Sequence, residues 1–118
     1  MNILLIDPKI NAWGYSAPKS IDPFGLICVA TFLNHSGQKA EILDMNASNV
    51  GWEELSTVIK EKNPDIVGVP SSMNCYIPES LQVTKIAKSV NPDIITLGGG
   101  INFTLNSVNI MKQTPELD

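Results

Sequence analysis

The sequence predicts an α/β domain built on a doubly wound parallel sheet, and three observations carry that prediction. Four short aliphatic runs, at residues 2–6, 40–43, 65–69 and 93–97, alternate with segments of helical periodicity. The runs mostly lack polar alternation, as strands buried on both faces do. Turn residues punctuate the junctions. Strand and helix therefore alternate along the chain, and parallel strands joined by helices are the arrangement that satisfies this rhythm.

The elements follow in order. After the first run, Leu26, Ile27, Ala30 and Leu33 keep helical spacing. Asp22-Pro23 offers that helix an N-cap followed by proline at the first helical position, and Gly37 closes it in a left-handed conformation. His35, the single histidine, falls in the helix-ending stretch Asn34-His35-Ser36-Gly37 and reads as an exposed residue favoured by the helix dipole. Cys28 reads as core. A second helix carries Trp52, Leu55, Val58 and Ile59, and a third Leu81, Ile86, Ala87 and Val90. Asn63-Pro64-Asp65-Ile66-Val67 recurs as Asn91-Pro92-Asp93-Ile94-Ile95, which reads as one helix-to-strand joint used twice, because proline stops a helix and forces an extended lead-in. A last helix over 104–113 leads to Pro115-Glu116-Leu117-Asp118, where a fifth strand is due. Right-handed crossovers then give a flavodoxin-like (Rossmann-like) three-layer α/β/α sheet in the order 2-1-3-4(-5). Residues 1–118 read as a single domain, cut short at the fifth strand from a larger protein.

Composition narrows the partners. The chain has 118 residues, 43% of them hydrophobic, enough for one core and too few for two. A formal charge of −4, with Lys and Arg totalling 8 and never clustered, argues against a nucleic-acid surface. The opening Met-Asn-Ile-Leu-Leu-Ile-Asp is apolar too briefly for a signal peptide or a membrane span, so a cytoplasmic location is expected. Cys28 and Cys75 form no CxxC or CxxxCxxC spacing, and no zinc or iron–sulfur site is read from them.

Ligands of such sheets bind outside the carboxyl ends of the strands, at the switch point. The loops expected there are residues 7–22, 44–50, 70–77 and 98–103. The most informative feature is Gly98-Gly99-Gly100, which follows the apolar run Ile94-Ile95-Thr96-Leu97 and brings bare backbone to a strand end, where a ligand can lie against peptide groups. The first loop, Asp7-Pro8-Lys9-Ile10-Asn11-Ala12-Trp13-Gly14, holds neither GxGxxG nor GxxxxGK[ST], so a dinucleotide or nucleoside triphosphate lacks its usual cradle. Nor is it the Ser/Thr/Gly-rich phosphate loop of a flavodoxin. A receiver domain's acidic set is incomplete, with only Asp7 in place. Asp44 reads as the cap of the turn after the second strand. Cys75 reads as a packed thiol, and Trp13 and Tyr15 either cover a ligand or anchor the long loop.

Taken together, Asn2-Ile3-Leu4-Leu5-Ile6-Asp7-Pro8, Pro23-Phe24-Gly25-Leu26 with Ala30 and Leu33, Gly37, Glu41-Ile42-Leu43-Asp44, Pro64-Asp65-Ile66-Val67-Gly68-Val69, Pro92-Asp93-Ile94 and Leu97-Gly98-Gly99-Gly100 resemble a known family: the N-terminal cobalamin-binding domain of cobalamin-dependent radical SAM proteins. Cobalamin domains that ligate cobalt carry DxHxxG in the first loop, a serine after the third strand and GG after the fourth. Here Lys9 stands at the histidine position, Ala12 replaces the glycine, and Pro70 takes the serine's place with Ser71 and Ser72 following at once. The resemblance implies cobalamin bound base-off with no protein histidine on cobalt, since a lysine ammonium has no lone pair to offer. It also implies a site drawn from Asp7, Pro8, Lys9, Ser71, Ser72, Met73, Gly98, Gly99 and Gly100, with no catalytic residue and no protein metal ligand. Gly98 and Gly99 would admit the nucleotide tail. The parent would be a methyltransferase or an oxidative cyclase of the anaerobic magnesium-protoporphyrin monomethyl ester type. Its iron–sulfur cluster, S-adenosylmethionine and radical SAM domain would lie in the absent remainder. The alternatives are a flavodoxin-like regulatory or protein-interaction domain without cofactor, and a binder of FMN or another nucleotide tail. A small enzyme with its own site is disfavoured, because the edge lacks a nucleophile–base pair.

Overall fold

The structure, a computed structural model, describes residues 1–10, 22–71 and 77–118, so the expectations placed on Ala12, Trp13, Tyr15, Ser72, Met73 and Cys75 lie outside the described residues. Eight elements alternate as expected: β1 (Asn2–Asp7), α1 (Phe24–His35), β2 (Lys39–Asp44), α2 (Trp52–Lys62), β3 (Ile66–Pro70), α3 (Ile77–Val90), β4 (Ile95–Gly99) and α4 (Ile101–Gln113). The sheet is parallel throughout, in the order β2-β1-β3-β4. Ile3 is registered with Ala40 on one side and Ile66 on the other, and Ile66 with Ile95.

Strand alternation sorts the sheet into two faces. Leu4, Ile6, Val67 and Val69 point to one, where they form a core with Leu55 and Ile59 of α2, Val83 and Ala87 of α3, and Phe103 and Ile110 of α4. Ile3, Leu5 and Ala40 point to the other and pack on Leu26 and Ala30 of α1. Among the described residues, three helices thus cover one face and one helix the other. That asymmetry explains where the expectation of strands buried on both faces fails. β1 is buried along nearly its whole length, but β4 keeps Ile95 and Leu97 each 46% exposed, because α1 does not extend over them.

Local chemistry sets the ends. Gly37 takes φ +80, and Gly37 N–H and Gln38 N–H donate back to the carbonyls of Asn34 and Leu33, a Schellman closure of α1. His35 is the exposed last residue of that helix, as read. At its other end the N-cap is Pro23 with no side-chain cap, not Asp22. Cys28, expected in the core, is a free exposed thiol. The helix is apolar almost all round, so spacing alone did not reveal which side meets the sheet. Asp44 accepts from Asn46 N–H and Ala47 N–H at 2.9 and 3.0 Å, the expected turn cap. In α2, the Glu54 carboxylate accepts from Gly51 N–H, and acidic first-turn and basic last-turn residues match the dipole.

The repeated Asn-Pro-Asp joint proves to be two different joints. Asn63 closes α2 in a left-handed conformation (φ 44), whereas Asn91 accepts Asp93 N–H on its side chain and Ile94 N–H on its carbonyl. Residues 92–94 are spent in that turn, so β4 starts at Ile95 and runs to Gly99, two residues beyond the apolar run. A different motif does recur. Asp65 docks on β1 by donating its N–H to Asn2 O (2.9 Å) and accepting Asn2 N–H on its carboxylate (2.7 Å). Asp118 does the same to Thr96 of β4, at 3.1 and 2.8 Å, and adds an ion pair with Lys88 at 2.7 Å.

Two carboxyls are held below their ordinary values of 4.5 and 3.8: Glu41 by the hydrogen bond and charge of Lys62, and Asp118 by the hydrogen bond from Lys88 and then Thr96 N–H. A depressed folded-state value means stabilisation that is complete above the ordinary value and lost as pH falls through the lowered one. Melting temperature followed by circular dichroism is therefore expected to drop between about pH 5 and pH 2, and to drop less in a Glu41→Gln, Asp118→Asn double variant. Parallel curves for the two proteins would contradict the assignment.

Candidate functional site

The carboxyl ends of the strands form one row, Asp44, Asp7, Pro70 and Gly99, when the register of β1 with β3 is carried two residues on. The chain leaves β1 toward β2 on one side, while β3 lies on the other, so the switch point falls between Asp7 and Pro70. Asp7, Pro70 and Gly99 share the parity of Ile3, Ile66 and Ile95 and lie on the face that carries α1.

The three glycines do three different things. Gly98 faces the other side, and a Cβ there would stand 2.7 Å from the Phe103 ring, which is 4% exposed; this glycine makes room for the first turn of α4. Gly100 takes φ +103, and its Cβ would stand 2.5 Å from the Ser71 carbonyl oxygen, so β4 turns into α4 through one residue pressed against the end of β3. At Gly99 an added Cβ meets no atom of the described residues within 4 Å. The expected loop over 98–103 thus does not exist: Gly98 and Gly99 belong to β4, α4 begins at Ile101 rather than Thr104, and among the described residues Gly99 alone of the three has free space at its Cβ.

Ser71 is 1% exposed and its N–H donates to Gly99 O at 2.8 Å, tying the ends of β3 and β4 together. Asp7 and Pro8 are buried, and Lys9 is half-buried in the first loop. Asn46, absent from the sequence reading, brackets that lysine: its amide nitrogen donates to Pro8 O at 3.0 Å and its carbonyl oxygen accepts Ile10 N–H at 3.4 Å. Its signal in the sequence is its place two residues after the turn-capping Asp44. Ser80, also unforeseen, donates from α3 to Pro70 O and fixes the last residue of β3. Asp7, Lys9, Ser71 and the glycines therefore do gather at one edge. Among the described residues, no three His, Cys, Asp or Glu side chains are placed to hold a metal ion, and no helix is long and apolar enough to cross a membrane. Glu41 and Asp118, the carboxyls held below their ordinary values by Lys62 and Lys88, lie away from this edge.

Fold and edge together define a doubly wound α/β domain with an opening at the carboxyl end of its fourth strand. Residues 12–118 match the model of the B12 binding domain, and the chain belongs to that family. It is similar to the anaerobic magnesium-protoporphyrin IX monomethyl ester cyclase of Rubrivivax gelatinosus, 29% identical over all of this chain and 21% of the cyclase. It is also similar to an uncharacterized methyltransferase of Pyrococcus horikoshii, 28% identical over all of this chain and 26% of that protein. The chain thus spans about a fifth to a quarter of the length of these relatives. In fold it resembles part of the radical S-adenosylmethionine methyltransferase TsrM of Kitasatospora setae, solved with cobalamin and a 4Fe–4S cluster bound. The TM-score is 0.77 at 21% identity, covering 98% of this chain and 21% of that one.

The described residues leave room for a cobalamin tail at this edge, because among them the one glycine of the triplet with free space at its Cβ lies on the row that borders the switch point. The three positions are separable by substitution. Urea unfolding should rank Gly100→Ala as most damaging, through backbone strain and a clash with backbone. Gly98→Ala should follow at about 1–3 kcal/mol of overpacking. Gly99→Ala should stay within about 0.5 kcal/mol of the parent. Equal losses at all three would overturn this division of roles.

Proposed function

We propose that this domain holds cobalamin for a radical SAM enzyme, with the cofactor's own base detached and no protein side chain on cobalt. The observation that carries the proposal is the open backbone of Gly99 at the carboxyl edge of a B12 binding domain. Gly99 and Pro70 would receive the nucleotide tail on the α1 face, with Gly98 and Gly100 holding α4 clear of it. Ser71 would border the tail from the β3 side, and Ser72 and Met73 follow it in the sequence. Asp7, Pro8 and Lys9 would meet the corrin from the β1 side, where Asn46 fixes the backbone on either side of the lysine. Lys9 supplies a donor to a corrin amide or phosphate rather than a ligand to the metal. When bound, cobalamin supplies a cobalt centre able to carry a methyl group or electrons.

The relatives that support this reading are named as a cyclase and methyltransferases, so the parent reaction would fall in methyl transfer or oxidative cyclisation. The iron–sulfur cluster and S-adenosylmethionine would belong to the remainder of the parent, whose radical SAM domain would be this domain's partner, in the cytoplasm. Catalysis by residues 1–118 alone is not expected.

Loading the chain with hydroxocobalamin and, in parallel, with FMN, then passing each through a desalting column, tests the reading. Stoichiometric retention of cobalamin and loss of FMN is expected; the reverse would favour a nucleotide-tail binder, and loss of both a regulatory domain without cofactor. The cob(II)alamin-loaded protein should give an electron paramagnetic resonance spectrum without the three-line nitrogen splitting that an axial imidazole imposes. Such splitting would overturn the base-off, ligand-free assignment.

A further inference from the structure

We propose that the outward face of α1 pairs with the same face of a second copy of this chain, the two helices running antiparallel about a two-fold axis at Cys28. The helix carries a buried stripe and, directly opposite, an exposed apolar one. Leu26 and Ala30 are buried against β1 and β2. At about 100° per residue, Cys28 points away from the midpoint of that stripe, with Phe24 and Phe32 about 40° to either side of it, one turn before and one turn after. Phe24 is 69% exposed and Phe32 71%, and Cys28 is an exposed free thiol. Two aromatic rings held in water on one line of a well-ended helix mark a surface of contact.

The occupant follows from the order of the side chains. Phe24-Gly25-Leu26-Ile27-Cys28-Val29-Ala30-Thr31-Phe32 reads alike from either end, with phenylalanine four residues from Cys28 on each side, a small residue at three and a β-branched aliphatic at one. A two-fold axis through an antiparallel pair requires that symmetry, because an isologous interface must complement itself. Phe24 then meets Phe32 of the second copy at both ends of the contact, while Gly25 and Thr31 leave room beside the rings. Charge favours the same choice. Each copy carries −4, yet Phe24–His35 holds no carboxylate, lysine or arginine, so this face lets two copies approach with little repulsion. Asp22 precedes the helix and His35 ends it, so antiparallel pairing brings the acid of one copy to the imidazole of the other. The four phenylalanines withdraw roughly 400–700 Å² from water. With the rest of the stripe the contact approaches the ~1,000 Å² at which specific interfaces begin, so the dimer is weak and reversible. Since α1 starts from the edge where β1 ends, the pair sets the two carboxyl edges at opposite ends and leaves both open.

Sedimentation velocity of the 118-residue chain, reduced and without cobalamin, tests this over about 10 μM to 1 mM, the range a weak interface requires. The sedimentation coefficient is expected to rise from that of a monomer to that of a dimer. Phe24→Asp and Phe32→Lys should each weaken association at least about 10-fold. Both should leave the melting temperature nearly unchanged, because the side chains they replace are exposed. Mixed in equal amounts, the two variants should recover the dimer, since the antiparallel axis sets the new carboxylate against the new ammonium and keeps phenylalanine on phenylalanine at the other end. In a Cys75→Ser background, diamide should join two copies through Cys28, the two thiols losing their protons and electrons to the reagent as the disulfide forms. Helix axes 8–10 Å apart leave about 5 Å between the facing α-carbons, within disulfide reach. A monomer at every concentration would overturn the proposal and leave the face to a different partner. So would a dimer that survives Phe32→Lys, a mixture no more dimeric than either variant alone, or a dimer that diamide fails to link. None of these readouts involves cobalamin, so the cofactor assignment and this one fail separately.

Discussion

The turn from β4 into α4 is made by a single residue, and most of the molecule's useful geometry hangs on it. Gly100 adopts a positive φ with its α-carbon against the Ser71 carbonyl, a position that no side chain fits without moving backbone. Because the turn is so short, the first turn of α4 sits directly above the end of β4, and Phe103 folds down onto Gly98. Because the approach is so close, the end of β3 is drawn against the end of β4, where Ser71 N–H reaches Gly99 O. One side of the β4 terminus is thereby packed solid while the other, at Gly99, stays open. The opening is a consequence of tight packing next to it rather than of looseness.

This asymmetry repeats on the scale of the sheet. The face under α2, α3 and α4 is a continuous core, in which Ile6, Leu55, Ile59, Val67 and Val83 are wholly buried. Among the described residues, the face under α1 is finished only over β1 and β2. A parallel strand with one face in water forgoes much of the apolar burial that stabilises such sheets, of order 25 cal/mol for each square ångström left wet. Gly99 lies on that less covered face, at its carboxyl end, in line with the half-exposed Ile95 and Leu97.

Much of this was legible from residues whose effects are local. Gly37, the Asp44 turn and the four strand–helix alternations act within a few positions of themselves, and turn chemistry and periodicity report such effects directly. The exposure of Cys28 was not legible, because α1 is apolar on nearly every side and only its contact with β1 and β2 selects the buried stripe. Nor were the separate duties of the glycines, which depend on Phe103 and Ser71 arriving from other elements. The repeated Asn-Pro-Asp motif misled for a related reason: Asn63 and Asn91 satisfy the end of a helix in different ways, and identical letters do not say which. Asn46, Ser80 and Thr96 act through hydrogen bonds to strands distant in sequence, and nothing beside them in the chain signals those partners.

On the proposed function, the carboxyl edge at Gly99 is where cobalamin would meet this chain. Backbone amide shifts of the ¹⁵N-labelled protein, followed by nuclear magnetic resonance during titration with hydroxocobalamin, test it most directly. The largest changes are expected on Asp7, Lys9, Ser71, Gly99 and Gly100, with Lys39, Lys62 and Asp65 at the far end of the sheet left in place. Changes centred on that far end, or a saturating titration that leaves Gly99 unmoved, would contradict it.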